Sequence, residues 1–379
     1  MINIYQPSLG KEELKAIKEV FESNWLGKGS KTDKFINQFS QKLILEVFDG
    51  VIFSHVSSKN LLPISSCTEG LFQSVNLYVN EGDEVILPSI NFIGAANAII
   101  AKKAKPVFCD VDKRTLNVRL KDIEKKVTNS TKAIIVLHYG GVPCDIENIV
   151  EFCKIKGIKL IEDNANSPFS SVNNKSTGTF GDIGLWSFDS MKQLVMGDGG
   201  MIYCENLEDL KNLQQETYLG LLSQSGFSNS SDKWWEFNVD RPGRRAIIND
   251  IQAAMGLEQL KKIDKQILKR KKIHNTYSKE LSNYIDVPLP LDSLKTSSYY
   301  MYHIQTPNRD KLASYLREKG IYTTFRYYPL HKVKYFEQYS TNLPNTEYIT
   351  NNTMCIPLHQ SLTNKEVNYI CKTIKNFKK

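Results

Sequence analysis

The feature that most constrains the fold is a repeated alternation of short apolar runs with stretches of helical periodicity, beginning near residue 60. One such stretch, Ile146–Lys156, has apolar residues at helical spacing and lies between two of the runs. Strands that are buried on both faces and alternate with helices form mostly parallel sheets in α/β proteins. We therefore predict an α/β domain with a mostly parallel sheet, whose strands include Glu84–Leu87, Lys105–Cys109, Ala133–Leu137 and Lys159–Ile161.

A second, smaller domain is expected, because 379 residues exceed what one hydrophobic core usually fills. An amphipathic helix is predicted over Ile248–Lys262, with a longer charged helix following through Lys279. The composition then shifts, which predicts an α+β domain and places the two domains at 1–250 and 251–379. The predicted elements of the smaller domain are strands at Tyr299–Gln305 and Thr323–Tyr328 and helices at Arg309–Lys319 and Asn364–Phe377. The polar residues 205–235 are predicted to form a loop.

Composition and charge exclude several classes of function. The net charge is +8, but the lysines are scattered and form no basic stripe with interleaved aromatics, which argues against nucleic-acid binding. The seven cysteines include no CxxC and no zinc-site spacing, so we expect no metal and a reducing compartment. The N-terminus has no apolar signal core and no segment reaches 18 apolar residues, which predicts a cytoplasmic protein without a membrane segment.

A single lysine, Lys192, lies between two predicted buried strands, Ile183–Phe188 and Met201–Cys204, beside the glycine turn Gly197–Gly200. Ammonium groups are almost never fully buried without a partner. Such a lysine can be retained to form a Schiff base with a carbonyl substrate or with pyridoxal phosphate. The alternative is a lysine on a surface loop with its charge in water, and this segment alone leaves both interpretations open.

Two other segments are suited to anions. Ser66, Cys67 and Thr68 precede a helical stretch, and the free N–H groups at a helix start bind phosphate, although a plain Ser/Thr cap is commoner. Ser187 can bind the same phosphate. The arginines of Gly243-Arg244-Arg245 stand before a helix and can hold a phosphate or carboxylate, although surface salt bridging is the commoner role of such residues.

Two further candidates follow predicted strands, where parallel α/β sheets bind their ligands. Phe92 comes after the strand Val85–Leu87 and can stack on a flat ring, although a core aromatic is the alternative. Asp163 ends the run Leu160–Asp163. A carboxylate beside a pyridine nitrogen keeps that nitrogen protonated, whereas the alternative is an aspartate that caps the next turn.

Together and in this order, these segments resemble the DegT-type sugar aminotransferases, a pyridoxal-phosphate-dependent fold-type-I family also called the DnrJ and StrS type. The resemblance covers nearly the whole chain, from Trp25–Gly29 to Ile356–His359. The segments that carry it are EGDEVILPSINFIGAANAI, PVFCDVDKRTLNV, LIEDNANSPF, GDIGLWSFDSMK with GDGG, NDIQAAMGLEQL and RYYPLHK.

The resemblance implies a role for each matching residue. Lys192 is implied to hold pyridoxal phosphate and to transfer protons, with a pKa that we expect to be lowered by its surroundings. Asp163 is implied to face the pyridine nitrogen, Phe92 to stack on the ring, and Asn166 to lie near the cofactor hydroxyl. The implied phosphate cup consists of Ser66, Cys67, Thr68 and Ser187. The resemblance also implies a homodimer in which each site is completed by the neighbouring chain.

The sequence departs from the family pattern where the substrate is recognised. The family often has Gly-x-Asn where this chain has Gly243-Arg244-Arg245, so Arg245 is expected to meet the phosphate across the dimer or the substrate diphosphate. Arg326-Tyr327 replaces a His-Tyr pair before Pro-Leu-His, and we expect Arg326, Tyr327 and His331 to contact the substrate. Cys67 stands where the family commonly has Gly or Ala, and a contact made through the backbone amide tolerates this change.

The predicted activity is transfer of an amino group from glutamate to a nucleotide-linked keto-deoxysugar. The expected position is C4 of a 4-keto-6-deoxyhexose, because RYYPLH resembles the 4-aminotransferases more than the 3-aminotransferases. The expected role is in cell-surface polysaccharide synthesis, such as lipopolysaccharide O-antigen. The alternatives are a sugar 3-aminotransferase, a pyridoxal-phosphate-dependent sugar dehydratase, a non-catalytic regulator on the same fold, and an unrelated α/β sugar-nucleotide binder.

Overall fold

The computed structural model of the chain describes residues 1–48, 51–221 and 235–378. The helices are α1 (Lys11–Glu22), α2 (Ser30–Ser40), α3 (Cys67–Tyr78), α4 (Ile93–Ala101), α5 (Leu120–Glu124), α6 (Ile146–Lys156), α7 (Leu207–Thr217), α8 (Asp250–Leu281), α9 (Arg309–Glu318), α10 (Pro344–Asn352) and α11 (Asn364–Lys375). The strands are β1 (Ile44–Phe48), β2 (Val51–His55), β3 (Leu61–Ile64), β4 (Glu84–Pro88), β5 (Lys105–Cys109), β6 (Thr131–Leu137), β7 (Lys159–Asp163), β8 (Ser171–Val172), β9 (Lys175–Ser176), β10 (Ile183–Ser187), β11 (Gly200–Cys204), β12 (Lys295–Thr296), β13 (Tyr302–Gln305) and β14 (Thr353–Ile356).

A seven-stranded sheet in the order β3-β11-β10-β7-β6-β4-β5 forms the centre of the molecule. Strand β11 runs antiparallel to both of its neighbours, whereas β10, β7, β6, β4 and β5 pair in parallel. This arrangement confirms the predicted α/β class and its mostly parallel sheet. All four of the strands predicted from the apolar runs lie in it.

The sheet strands are apolar on both faces because helices cover both. In β4, Val85 and Leu87 pack into a core that includes residues of α3 and α4, whereas Ile86 between them packs on the opposite face with residues of α6. Successive side chains of a strand point to opposite faces, so a continuous apolar run is what a doubly covered strand requires.

Helix α8 contributes to two hydrophobic cores. Its first half packs with α2 and β10 against the central sheet, and its second half packs against β13, β14, α9 and α11. The predicted division between residues 250 and 251 coincides with the start of this helix, so residues 251–379 include a segment that packs on the larger core. The residues of α8 in the two cores are Ala253, Leu257, Leu260 and Ile263 in the first and Ile273, Tyr277 and Leu281 in the second.

Two local predictions were wrong. Part of the predicted loop 205–235 is helix α7, in which Leu210 and Leu213 are buried and the Asn206 side chain accepts hydrogen bonds from the amides of Glu208 and Asp209. The charged residues of this segment masked its helical spacing; residues 222–234 lie outside the described chain. The predicted strand Thr323–Tyr328 is absent from the described residues, where Thr324 forms only an isolated bridge to Cys355.

Other element boundaries agree closely with the predictions. The two helices predicted from residue 248 to residue 279 are one continuous helix, α8, and α9 and α11 match their predicted positions to within two residues. In the described part of the chain, no helix is both long enough and apolar enough to cross a membrane.

We predict that Gly184→Ala in β10 strongly destabilises the protein. A Cβ atom at residue 184 would lie 1.8 Å from the backbone carbonyl oxygen of Gly178, so the strand and the adjoining loop must separate. We expect the free energy of unfolding to fall by at least about 3 kcal/mol, measured by thermal or urea unfolding.

Gly157→Asn is the matched control. Gly157 follows α6 with a φ of 65° and has no atom within 4 Å of its Cβ position, and asparagine accepts this left-handed conformation. We expect this variant to stay within about 1 kcal/mol of the wild type. A Gly184→Ala protein as stable as this control would contradict the close approach of loop and strand.

Candidate active site

Ten of the predicted site residues line one cavity of about 350 Å³ at the carboxyl edge of the central sheet. They come from the ends of β3, β4, β7 and β10 and from the segment after residue 320. Parallel strands end at the same edge of a sheet, which is why residues so distant in sequence meet there. The ten residues are Ser66, Cys67, Thr68, Phe92, Asp163, Asn166, Ser187, Lys192, Arg326 and Tyr327.

The start of α3 forms one wall of the cavity. Ser66 caps the helix, because its hydroxyl accepts a hydrogen bond of 3.0 Å from the Glu69 amide. The preceding amides, of Cys67 and Thr68, donate to no acceptor within the described residues, so they remain available at the positive end of the helix dipole. Gly200 of β11 allows this approach, since a Cβ atom there would lie 2.7 Å from the Cys67 nitrogen.

Asp163 and its neighbour Glu162 end β7 on opposite faces of the sheet. The Asp163 carboxylate lines the cavity, is 2% exposed, and accepts a hydrogen bond of 2.9 Å from the Ala165 amide. Burial raises the pKa of Asp163 above its usual range, although the Ala165 amide and the charge of Lys192 act in the opposite direction. Asp163 is therefore a carboxylate held at the edge of the sheet with part of its hydrogen-bonding capacity unused.

Lys192 enters the cavity from the segment between β10 and β11. Its Nζ lies 4.9 Å from the centroid of the Tyr300 ring, which places the ammonium over an aromatic face. The expected lowering of its pKa was wrong. Burial lowers the pKa of Lys192, but Tyr300, Tyr327 and Asp163 together outweigh burial and hold that pKa above its ordinary value.

Asn166 contributes an unused acceptor to the cavity. Its side chain is fully buried, and its Nδ2 donates a hydrogen bond of 3.2 Å to the Tyr327 hydroxyl. Its Oδ1 has no donor among the described residues. A buried acceptor without a partner is costly, so this atom indicates a ligand that carries a hydroxyl or N–H group.

Phe92 stands at the start of α4 beside the cavity mouth and is 44% exposed. Its ring meets the Tyr327 ring edge-on, with centroids 6.0 Å apart. An exposed aromatic in this position has a free face for stacking, which a core aromatic does not.

Arg245 lies away from the cavity of its own chain. Its guanidinium is 5.4 Å from the Tyr218 ring centroid, and the residue lines a separate pocket with Trp25 and Lys28. Its neighbour Arg244 pairs with Glu69 at 3.1 Å. Arg245 is therefore not among the residues that line the cavity of its own chain.

His331 also lies outside the cavity. Its Nδ1 is 2.7 Å from the Ser89 hydroxyl and its Nε2 is 3.0 Å from the Glu347 carboxylate, so both ring nitrogens are engaged. His331 thereby connects the segment after β4, which carries Phe92, to the segment that carries Tyr327. The structure gives it this supporting contact and no direct access to the cavity.

Sequence reasoning missed Tyr300 and Tyr5. These rings stack with centroids 5.2 Å apart and an interplanar angle of 17°, and Tyr300 contacts Lys192. Neither residue follows a strand of the central sheet, so the strand-end signal that identified Phe92 and Asp163 gave no indication of them. The unusual run Tyr299-Tyr300-Met301-Tyr302 was the only available signal.

The cavity fits pyridoxal phosphate, the cofactor that the sequence resemblance implies. The free amides of Cys67 and Thr68 suit its phosphate, and the Asp163 carboxylate suits its pyridine nitrogen. The orphaned Asn166 Oδ1 suits its hydroxyl, and Lys192 provides the amine. No group of His, Cys, Asp and Glu residues with metal-binding geometry occurs among residues 1–48, 51–221 and 235–378.

The chain is similar to known proteins along nearly its whole length. The sequence model of the DegT/DnrJ/EryC1/StrS aminotransferase family matches residues 7–375. A dTDP-4-dehydro-2,3,6-trideoxy-D-glucose 4-aminotransferase of Saccharopolyspora spinosa is 44% identical over 374 residues, covering 97% of this chain and 94% of that protein. A GDP-perosamine synthase of Escherichia coli is 32% identical, with 99% and 98% coverage.

A similar fold is present in a solved structure. The crystal structure of the aminotransferase TlmJ from Streptoalloteichus hindustanus superposes with a TM-score of 0.91 at 42% identity. The match covers 99% of this chain and 98% of that one.

We predict that Asp163→Asn stabilises the cofactor-free protein and weakens cofactor binding. In the unfolded chain Asp163 has an ordinary pKa near 3.9, whereas burial raises its pKa in the folded protein. Between these two pKa values the folded state binds more protons, so the stability of the cofactor-free protein falls as pH rises through this window. Asparagine removes this loss, so at pH 7 the cofactor-free variant should melt above the wild type.

The same substitution should lower the affinity for pyridoxal phosphate about 10- to 100-fold, because a charge-assisted hydrogen bond to the ring nitrogen is lost. Thermal melts from pH 4 to 8 and a cofactor titration measure the two effects. The exposed Asp310→Asn is the control and should change neither. An Asp163→Asn protein that binds the cofactor as tightly as the wild type would refute the assignment to the ring nitrogen.

Proposed function

Since the chain belongs to the DegT/DnrJ/EryC1/StrS aminotransferase family, we propose that it transfers an amino group from L-glutamate to C4 of a nucleotide-linked 4-keto-6-deoxyhexose. Membership confirms the resemblance, the fold-type-I architecture and the dependence on pyridoxal phosphate that the sequence predicted. The protein is a pyridoxal-phosphate-dependent sugar aminotransferase.

One observation carries the proposed catalytic site: Lys192 and Asp163 line the same cavity at the carboxyl edge of the sheet, with the open amides of α3 on its wall. Support for C4 comes from the 44% identical relative, which is named as a 4-aminotransferase of a dTDP-linked sugar. A dTDP-linked 4-keto sugar is therefore our first candidate substrate.

The proposed division of labour follows from the geometry. Bound pyridoxal phosphate supplies an electron sink that makes the amine-bearing carbon of the donor acidic. Lys192 Nζ takes the proton from that carbon and delivers a proton in the return direction, because it is the amine inside the cavity. Asp163 keeps the ring nitrogen protonated, and the α3 amides with Ser187 hold the phosphate. Phe92 covers one face of the ring and excludes water.

The proposed active site is shared between the two chains of a homodimer. Arg245 supports this proposal, since it lies over Tyr218 in a separate pocket of about 580 Å³ and does not line the cavity of its own chain. Large apolar side chains are exposed around that pocket and around the cavity mouth, as expected of a surface that a second copy covers. These side chains are Trp25 beside the Arg245 pocket and Phe92 and Met191 beside the cavity.

The other candidate activities are less consistent with the residues present. The related sugar 3-dehydratases have a histidine where this chain has Lys192, and a regulator without catalysis has no need of Lys192, Asp163 and Ser187 together. A sugar 3-aminotransferase uses the same residues, and it differs from our proposal only in the ketone that it accepts.

We place the enzyme in the cytoplasm, in a pathway that supplies amino sugars to a cell-surface polysaccharide such as O-antigen. All seven cysteines are unpaired and buried, as in proteins of reducing compartments. The similarity to a GDP-perosamine synthase supports the polysaccharide role.

We predict that the purified enzyme, loaded with pyridoxal phosphate and given glutamate, aminates one keto sugar from a panel of dTDP-, UDP- and GDP-linked 3-keto and 4-keto sugars. Product mass and position of the amine, read by mass spectrometry and NMR, identify the substrate. Lys192→Ala should abolish the reaction by at least about 1,000-fold, whereas the exposed Lys311→Ala should not. Amination at C3 would replace our proposal by the 3-aminotransferase, and amination of no sugar would reject both.

We also predict that mixed dimers recover activity. Lys192→Ala and Arg245→Ala chains are each expected to be impaired alone, but a dimer of one of each contains one intact site if Arg245 acts across the interface. Random pairing restores roughly a quarter of wild-type activity. Mixing Lys192→Ala with Asp163→Ala is the matched control, because both residues belong to the same chain's site and no intact site can form. Equal activity in the two mixtures would contradict a shared site.

A further inference from the structure

Arg326 is a cation in the cavity wall without an acidic partner. Five other arginines of the described chain each pair with a carboxylate, namely Arg114, Arg119, Arg241, Arg244 and Arg309. No carboxylate of the described residues lies within 4.0 Å of Arg326, although the residue lines the same cavity as Lys192. An arginine that is partly buried without a counter-ion is suited to bind an anionic ligand.

The position of Arg326 is fixed by neutral groups. The Tyr139 hydroxyl donates a short hydrogen bond to the Arg326 carbonyl, and the guanidinium lies 4.7 Å from the centroid of the Tyr5 ring. Its Nη1 is 3.5 Å from the Tyr300 hydroxyl and its Nη2 is 3.5 Å from the Met191 sulfur. These long contacts orient the guanidinium without satisfying its five N–H donors, so strong donors remain for a ligand.

The Tyr300 side chain lies between Arg326 and the Lys192 amine. Lys192 Nζ lies over the face of the Tyr300 ring, and Arg326 contacts the hydroxyl of the same ring. The Tyr300 side chain is completely buried and stacks on the Tyr5 ring, so this ring is a rigid spacer between the two cations. A donor carbon whose proton Lys192 takes is therefore close to the Arg326 guanidinium.

We propose that Arg326 binds the α-carboxylate of the amino-group donor. This inference rests on the proposed function, which requires two substrates to react at one position in turn. In an α-amino acid the carboxylate is attached to the carbon that bears the amine, so it must lie beside the reacting centre. In a nucleotide-linked 4-keto sugar the diphosphate is attached to C1, across the ring from C4. A cation next to Lys192 therefore matches the donor and not the diphosphate.

The test separates the two halves of the reaction in the cofactor-loaded enzyme. Loss of the visible absorbance band with increasing glutamate gives the affinity for the donor. The return of that band when keto sugar is added to the amino-loaded enzyme measures the half-reaction with the sugar. For Arg326→Gln we expect the glutamate concentration at half-saturation to rise about 10- to 100-fold. The keto-sugar concentration at half-saturation should change less than about threefold. Arg326→Lys should recover part of the loss, since it retains the charge without the planar fork.

L-Isoglutamine, in which the α-carboxylate of glutamate is an amide, is the matched ligand. Calorimetry should show that the wild type binds glutamate about 10- to 100-fold more tightly than isoglutamine. Arg326→Gln should bind the two ligands with similar affinity. Arg317→Gln on the exposed face of α9 controls for loss of a surface arginine.

The results decide the assignment in either direction. Unchanged donor affinity in Arg326→Gln, a loss confined to the sugar half, equal losses in both halves, or a wild type that binds isoglutamine as well as glutamate would each overturn it. If Arg326→Gln does not fold, the isoglutamine comparison in the wild type and the Arg326→Lys enzyme still decide. Failure of the proposed function is a different observation, because it appears as a wild type that aminates no keto sugar.

Discussion

Two consecutive carboxylates at the end of β7 govern how the site is built. Glu162 is completely buried and accepts hydrogen bonds of 2.7–2.9 Å from the amides of Gly178, Phe180 and Gly181. Its Oε2 is also 3.1 Å from His138 Nε2, and the Cys144 amide donates to the other ring nitrogen. A buried carboxylate needs such partners, and together they fix the loop before β10 to β7. Asp163, on the opposite face, thereby receives a fixed position in the cavity.

The cavity at this edge of the sheet is lined by charged groups of both signs. Lys192 keeps its proton in the cofactor-free protein, since its neighbours hold the pKa of its ammonium above the ordinary value. Arg326 adds a second cation in the wall, and the α3 dipole adds partial positive charge. These groups provide positive charge for an anionic cofactor and anionic substrates, and the carboxylates of Asp163, Asp189 and Asp198 provide negative charge in the same cavity.

The part of this arrangement that could be predicted from the sequence is the part carried by local patterns. Buried strands are visible as apolar runs, and a residue such as Asp163 or Phe92 is placed at the sheet edge as soon as its strand is recognised. Tyr300, Tyr5 and the contact between Arg326 and Tyr300 depend on how the segments near residues 5, 300 and 326 meet, which no local spacing encodes. For the same reason His331 was assigned to the substrate, whereas the fold engages both of its nitrogens with Ser89 and Glu347. Helix α7 was missed because its charged residues obscured a short apolar stripe.

The central claim is that Lys192 is the residue to which pyridoxal phosphate becomes attached. The most direct test is borohydride reduction of the cofactor-loaded protein, followed by proteolysis and mass mapping of the modified peptide. The account predicts a single phosphopyridoxyl group on Lys192, in the peptide between β10 and β11. Modification of a different lysine, with Lys192 recovered unmodified, would contradict it.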